Sequence, residues 1–119
     1  HALEAKLPDG TTLGVFVHRR PIEGEKSLRQ LVDENVALNH KRLSGFAVID
    51  EVEASVGGLG GYLVGTRWRH EGATFYQRQA HVAFEGTWMI FAVSAPLEHQ
   101  AACDETLAVI VASIAWRTE

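Results

Sequence analysis

The stretch ATFYQRQAHVAFEGTWMIFAVSAP, Ala73–Pro96, decides the fold. It divides into two segments of period-two patterning joined by Glu85-Gly86, a two-residue loop with glycine where a tight β-hairpin requires it. In the second segment Thr87, Met89, Phe91 and Val93 point one way, and Trp88, Ile90, Ala92 and Ser94 the other. Both sets are largely apolar. In the first, Phe75, Gln77, Gln79 and His81 share one face; Tyr76, Ala80, Val82 and Phe84 share the opposite one, interrupted by Arg78. A strand pair that is apolar on both faces needs cover on both.

Working outward, Tyr62 to Arg69 is the preceding strand, turned by His70-Glu71-Gly72. Before it, Phe46, Val48, Asp50, Val52 and Ala54 alternate against Ala47, Ile49, Glu51 and Glu53, and Gly57 to Gly61 reads as a flexible connection. Pro8-Asp9-Gly10 is turn chemistry that joins an opening strand to a second, Leu13 to Arg19. Ser27-Leu28-Arg29-Gln30 reads as a capping box, starting a helix that runs to about Leu43 and is stopped by Ser44-Gly45. Leu28, Leu31, Val32 and Leu38 form its apolar stripe. After Ala95-Pro96 a second helix is expected from about Glu98 to Trp116, with Cys103, Leu107, Ile110, Val111 and Ile114 on its buried side.

The element order predicts an α+β fold: a single twisted antiparallel sheet with two helices packed on one face. The other apolar face is then left for a second subunit, a ligand or a partner's hydrophobic segment, unless a missing N-terminal segment covers it. The opening His1 to Leu7 already alternates like a strand, and residues 1–119 read as one domain lacking its first strand.

Composition narrows the function. The chain has 119 residues, 46% hydrophobic and 22% charged, an ordinary single-domain mixture. A net charge of −4 argues against nucleic-acid binding. Cys103 is the only cysteine, which excludes an internal disulfide and a cysteine-rich zinc site. No apolar run approaches the roughly 18 residues of a membrane span.

Polar residues on apolar surfaces are the remaining signal. Asn35 and Asn39 lie in the middle of the first helix's apolar stripe, and Gln77 and Gln79 share a strand face. Each amide either bonds a neighbouring backbone group or presents donors and acceptors to a bound polypeptide. Catalytic patterns are weak by comparison. Of the six histidines, none forms a ligand pair at helical spacing; His18 and His81 lie on strands and could converge in space, though a lone strand histidine is usually surface or packing rather than a metal ligand. Ser44 and Ser55 lack a nucleophile elbow, Cys103 sits in a helical stripe, and the Gly57–Gly61 run leads into a strand rather than a helix. The expectation is a protein that is not an enzyme and needs no cofactor or metal.

The order of motifs resembles the DcrB-related domain family. Leu13-Gly14-Val15-Phe16-Val17-His18-Arg19-Arg20-Pro21, the helix opening at Ser27-Leu28, and Leu43-Ser44-Gly45-Phe46 carry the resemblance, with Tyr76-Gln77-Arg78-Gln79, the Thr87-to-Pro96 strand and a closing Ile114-Ala115-Trp116. The resemblance implies a PsbP-like fold. Small cytoplasmic members similar to this chain are the Eag chaperones of type VI secretion systems. They bind the hydrophobic N-terminal transmembrane segments of effectors, often with PAAR and Rhs domains, and commonly act as homodimers. By that resemblance, the client-contacting positions are Gly14, Phe16 and His18 on the second strand, Asn35 on the first helix, and Gln77 and Gln79. The expected partner is thus the hydrophobic N-terminal region of a secreted effector, bound in the cytoplasm without nucleic acid and without direct membrane insertion. The family also contains envelope-associated, lipoprotein-like domains and assembly factors, which keep the fold and change the task.

Overall fold

The computed structural model describes residues 2–114 and 116. Its elements are β1 (Ala2–Lys6), β2 (Thr12–Pro21), α1 (Leu28–Arg42), β3 (Ala47–Val56), β4 (Leu59–His70), β5 (Ala73–Phe84), β6 (Thr87–Pro96), a 3₁₀ turn (Leu97–His99) and α2 (Gln100–Ala112). The six strands form one antiparallel sheet in the order β1-β2-β6-β5-β4-β3. The chain thus builds a hairpin, crosses the sheet through α1, and returns as a four-strand meander whose last strand docks against β2.

Local chemistry sets the turns. In Gly57-Gly58, Glu71-Gly72 and Glu85-Gly86 both loop residues have positive φ, the condition for the hairpin turn whose twist matches the strands. The glycine run is therefore not a flexible connection. Gly57-Gly58 is a tight turn, and Gly60 and Gly61 belong to β4, where a Cβ on Gly61 would come within 2.4 Å of the His81 carbonyl oxygen. At the first hairpin, Asp9 Oδ1 accepts from the Thr11 N–H at 2.9 Å, which holds its carboxyl below the ordinary carboxylate range.

The capping box forms as expected. The Gln30 N–H donates to Ser27 Oγ at 3.1 Å, and the Ser27 N–H donates to Gln30 Oε1 at 2.8 Å. Beyond the helix, the Arg69 N–H donates to the Ser44 carbonyl at 2.8 Å and ties the exit loop to β4. α2 is shorter than expected: it ends at Ala112, and Trp116 lies outside it, stacked on Phe84 at 4.7 Å between ring centroids. Ala115 lies outside the described residues.

The α+β class, the single antiparallel sheet and the two helices are as the sequence predicts, but the helices do not share a face. Cys103 and Leu107 of α2 pack with Leu13, Tyr76, Ala80, Val82, Phe91 and Val93. α1 lies over the opposite side, where Arg29 sits 4.7 Å above the Tyr62 ring and bonds Glu51, and where Leu31 joins Trp88 in lining a cleft. Strand order explains the difference. α1 must carry the chain from β2 to the far edge strand β3, whereas α2 leaves from β6 inside the sheet and folds back over the other side. Each apolar face of β5 and β6 thereby receives a layer.

A bulge refines the reading of β3. The register slips at Ile49, between Val48 and Asp50, so the simple alternation breaks there. Asp50 is thereby turned toward Arg78, which it bonds, under α2.

Candidate binding face

The sheet face beneath α1 is laid out in rows by the strand register. One row runs Gly14, Ser94, Gln77, Thr66; the next Phe16, Ala92, Gln79, Val64; the next His18, Ile90, His81, Tyr62. α1 lies closest to β5, so it covers the β4–β5 end of these rows and leaves the β2 end open. Phe16 and Ile90 are half-buried there and His18 is exposed, while Ala92 between them is buried. The result is an apolar floor with a helix along one side.

Five expected positions, Gly14, Phe16, His18, Gln77 and Gln79, lie on this one face. Phe16 and His18 stack with centroids 6.5 Å apart. The Phe16 ring leans over Gly14, where a Cβ would stand 3.1 Å from the ring and 3.2 Å from Ser94 Oγ. Asn35 reaches the face from α1. It lines a 380 Å³ cleft with Leu31, Leu38, Arg20, Pro21 and Trp88, at the far end from Gln77. Both Asn35 and Asn39 are half-buried, and no described residue bonds the Asn35 amide. His18 and His81 do not converge: they share a row with Ile90 between them, two strand spacings or about 10 Å apart.

The amides form a connected series that the sequence reading missed. Trp88 Nε1–H donates to His81 Nδ1 at 3.2 Å, His81 Nε2 meets Gln79 Oε1 at 2.8 Å, and Gln79 Nε2 donates to Gln77 Oε1 at 2.6 Å. The indole and imidazole rings also stack, 5.9 Å apart. Gln79 is only 5% exposed, so it supports Gln77 rather than offering a contact surface. His81 is fully buried; that burial, with the Arg29 charge second, pushes its pKa down to about 4 and keeps the ring neutral at physiological pH. The i, i+2, i+4 spacing of Gln77, Gln79 and His81 was visible in the sequence. Trp88 enters only through the β5–β6 register.

The opposite face carries a polar cluster of another kind. The Tyr76 hydroxyl donates to Asp104 Oδ1 at 2.5 Å, Arg78 Nε lies 3.8 Å from the same carboxylate, and Arg78 also bonds Asp50. Gly65 leaves room for it, since a Cβ there would sit 2.5 Å from Asp50 Oδ1. Burial, followed by the Asp104 contact, raises the Tyr76 pKa, and burial pushes the Cys103 thiol up to about 11. Cys103 is a buried side chain of the α2 contact, with little thiolate at neutral pH.

Together, a six-stranded antiparallel sheet crossed by α1 on one side and α2 on the other makes a PsbP-like fold. Among solved structures, the Pseudomonas aeruginosa protein PA94, described as of unknown function, superposes with a TM-score of 0.84 at 15% identity, covering 100% of this chain and 83% of PA94. Mycobacterium tuberculosis LpqN, described as involved in cell envelope biogenesis, gives 0.65 at 16% identity over 89% of this chain and 63% of LpqN. The PsbP protein of the cyanobacterium Synechocystis (CyanoP) gives 0.61 at 12% identity over 94% of this chain and 79% of its own. Identities this low speak for the fold alone. The chain belongs to the DcrB family, whose profile matches residues 1–113. No curated protein matches it.

Proposed function

We propose that this DcrB-family chain is a cytoplasmic chaperone or adaptor for one type VI secretion effector, of the PAAR and Rhs type, and shields its hydrophobic N-terminal transmembrane segments before export. The observation that carries the reading is the open end of the α1 face. There, Phe16 and Ile90, on either side of the buried Ala92, form an apolar floor bordered by Gln77, whose amide is bonded to the buried Gln79. An apolar client helix laid on it would bury surface worth about 25 cal/mol per Å². Gln77, and Asn35 in the cleft at the other end of the face, would bond polar spots on that helix. Action as a homodimer, without cofactor, catalysis, nucleic acid or membrane insertion, belongs to the same proposal.

Co-expression with the hydrophobic N-terminal region of an effector encoded beside it, followed by affinity purification and sizing, tests the reading. The expected outcome is a client soluble only in complex with this protein, at a stoichiometry the sizing gives. An insoluble client, with this protein purifying alone, overturns it in favour of an envelope-associated, non-enzymatic DcrB-like domain. That second reading draws on the role in cell envelope biogenesis given for LpqN.

A further inference from the structure

We propose that His81 and Trp88 are positioning residues that fix Gln77 as a hydrogen-bond donor, so that the open face selects apolar helices exposing an unpaired main-chain carbonyl oxygen. The inference rests on the client-binding reading above. Its starting point is the one member of the series that can act in a single sense. An indole Nε1–H donates and never accepts. At 3.2 Å from His81 Nδ1 it makes that nitrogen an acceptor. The neutral ring then carries its proton on Nε2, which donates to Gln79 Oε1 at 2.8 Å. Gln79 must therefore turn its NH₂ toward Gln77, whose Oε1 accepts at 2.6 Å. Reversing any link would leave two donors facing each other at Trp88. The sense of all three bonds is dictated from one end.

What is left over is at the other end. The Gln77 carbonyl of the main chain already accepts from Thr66 Oγ1 at 3.2 Å, and its side-chain oxygen is taken by Gln79. Its Nε2 donors have no partner among the described residues. They stand half-buried in the row of Gly14 and Ser94, beside the floor of Phe16 and Ala92. A client that is apolar throughout would strip water from these donors and return nothing. A regular helix has its carbonyls occupied by its own N–H groups. A helix interrupted by proline leaves the carbonyl four residues earlier without a donor, and that oxygen can only accept. The donor-ended series and the acceptor-only break are complementary.

Two leucine/alanine peptides of transmembrane length, about 20 residues and identical except for a central proline, are the probes. Wild-type protein is expected to bind the proline peptide about tenfold more tightly, the scale of one good hydrogen bond. Gln77→Glu keeps an oxygen to accept from Gln79 and exchanges the outward donors for an acceptor-only, charged carboxylate; it should abolish the preference. His81→Phe keeps the ring stacked on Trp88 and removes both nitrogens. It should weaken the preference although it touches no client, and the double variant should be no worse than Gln77→Glu alone. Equal binding of both peptides by wild type, or a preference that survives Gln77→Glu, overturns the selectivity and leaves the chaperone reading standing. Binding of neither peptide overturns both. Long-range proton–nitrogen spectra of the imidazole read the series directly, without any client: an Nε2–H tautomer at His81 supports it, and an Nδ1–H tautomer overturns it.

Discussion

Gln77 and Phe16 occupy the same sheet face by different routes, one through hydrogen bonds along its own strand and the other through a ring laid over Gly14. Their substitution should therefore separate binding from folding. Gln77→Ala and Phe16→Asp are expected to weaken client capture while circular dichroism stays that of the wild type; capture preserved in both would remove this face from the reading. His81 makes a contrasting prediction, about stability. Unfolded, it titrates near 6.5; folded, it refuses the proton until about 4. Between those values the unfolded state binds more protons, so stability is full above about pH 6.5 and falls as pH drops toward 4. The total loss is about 3 kcal/mol. Denaturant melts at pH 7.5 and 4.5 should show the drop, and His81→Phe should lack this contribution.

At the scale of elements, the capping box and the Tyr76–Asp104 bond hold the two helices by local and long-range means. Ser27→Ala removes the acceptor for the Gln30 N–H and should cost about 1 kcal/mol in urea unfolding. Tyr76→Phe cuts a bond between β5 and α2, with a comparable cost of about 1 kcal/mol and faster amide exchange in α2 as its signature. The capping box was legible because its partners are three residues apart, and so were the Glu71-Gly72 and Glu85-Gly86 turns. The side of the sheet each helix takes was not legible. It follows from β6 docking beside β2, a pairing of residues 66 to 80 positions apart in the sequence that no local pattern announces. The bulge at Ile49 escaped for a similar reason, since its purpose, turning Asp50 to Arg78, lies on another strand. The amide series divides along the same line: three members share one strand's period, while Trp88 comes from its neighbour.

For the whole molecule, the two layers differ in completeness. α2 and the sheet enclose a continuous apolar core, whereas α1 covers only part of its side. Protection from amide exchange should therefore be greatest in β5 and β6, which are flanked by strands and covered on the α2 side, and least in the edge strands β1 and β3. Slowest exchange in β1 or β3 would contradict the layer arrangement.

The pairing of β2 with β6 also has a consequence in time. Gly14, Phe16 and His18 leave the ribosome well before the strand that completes their floor, whose partner residues come 72 to 80 positions later. Long-range closure of this kind is slow compared with hairpin formation. The β1–β2 hairpin must wait, unpaired along one edge, until synthesis has passed Pro96. The apolar floor therefore exists only once β6 has been made, and no nascent fragment ending before β6 can offer it to a partner.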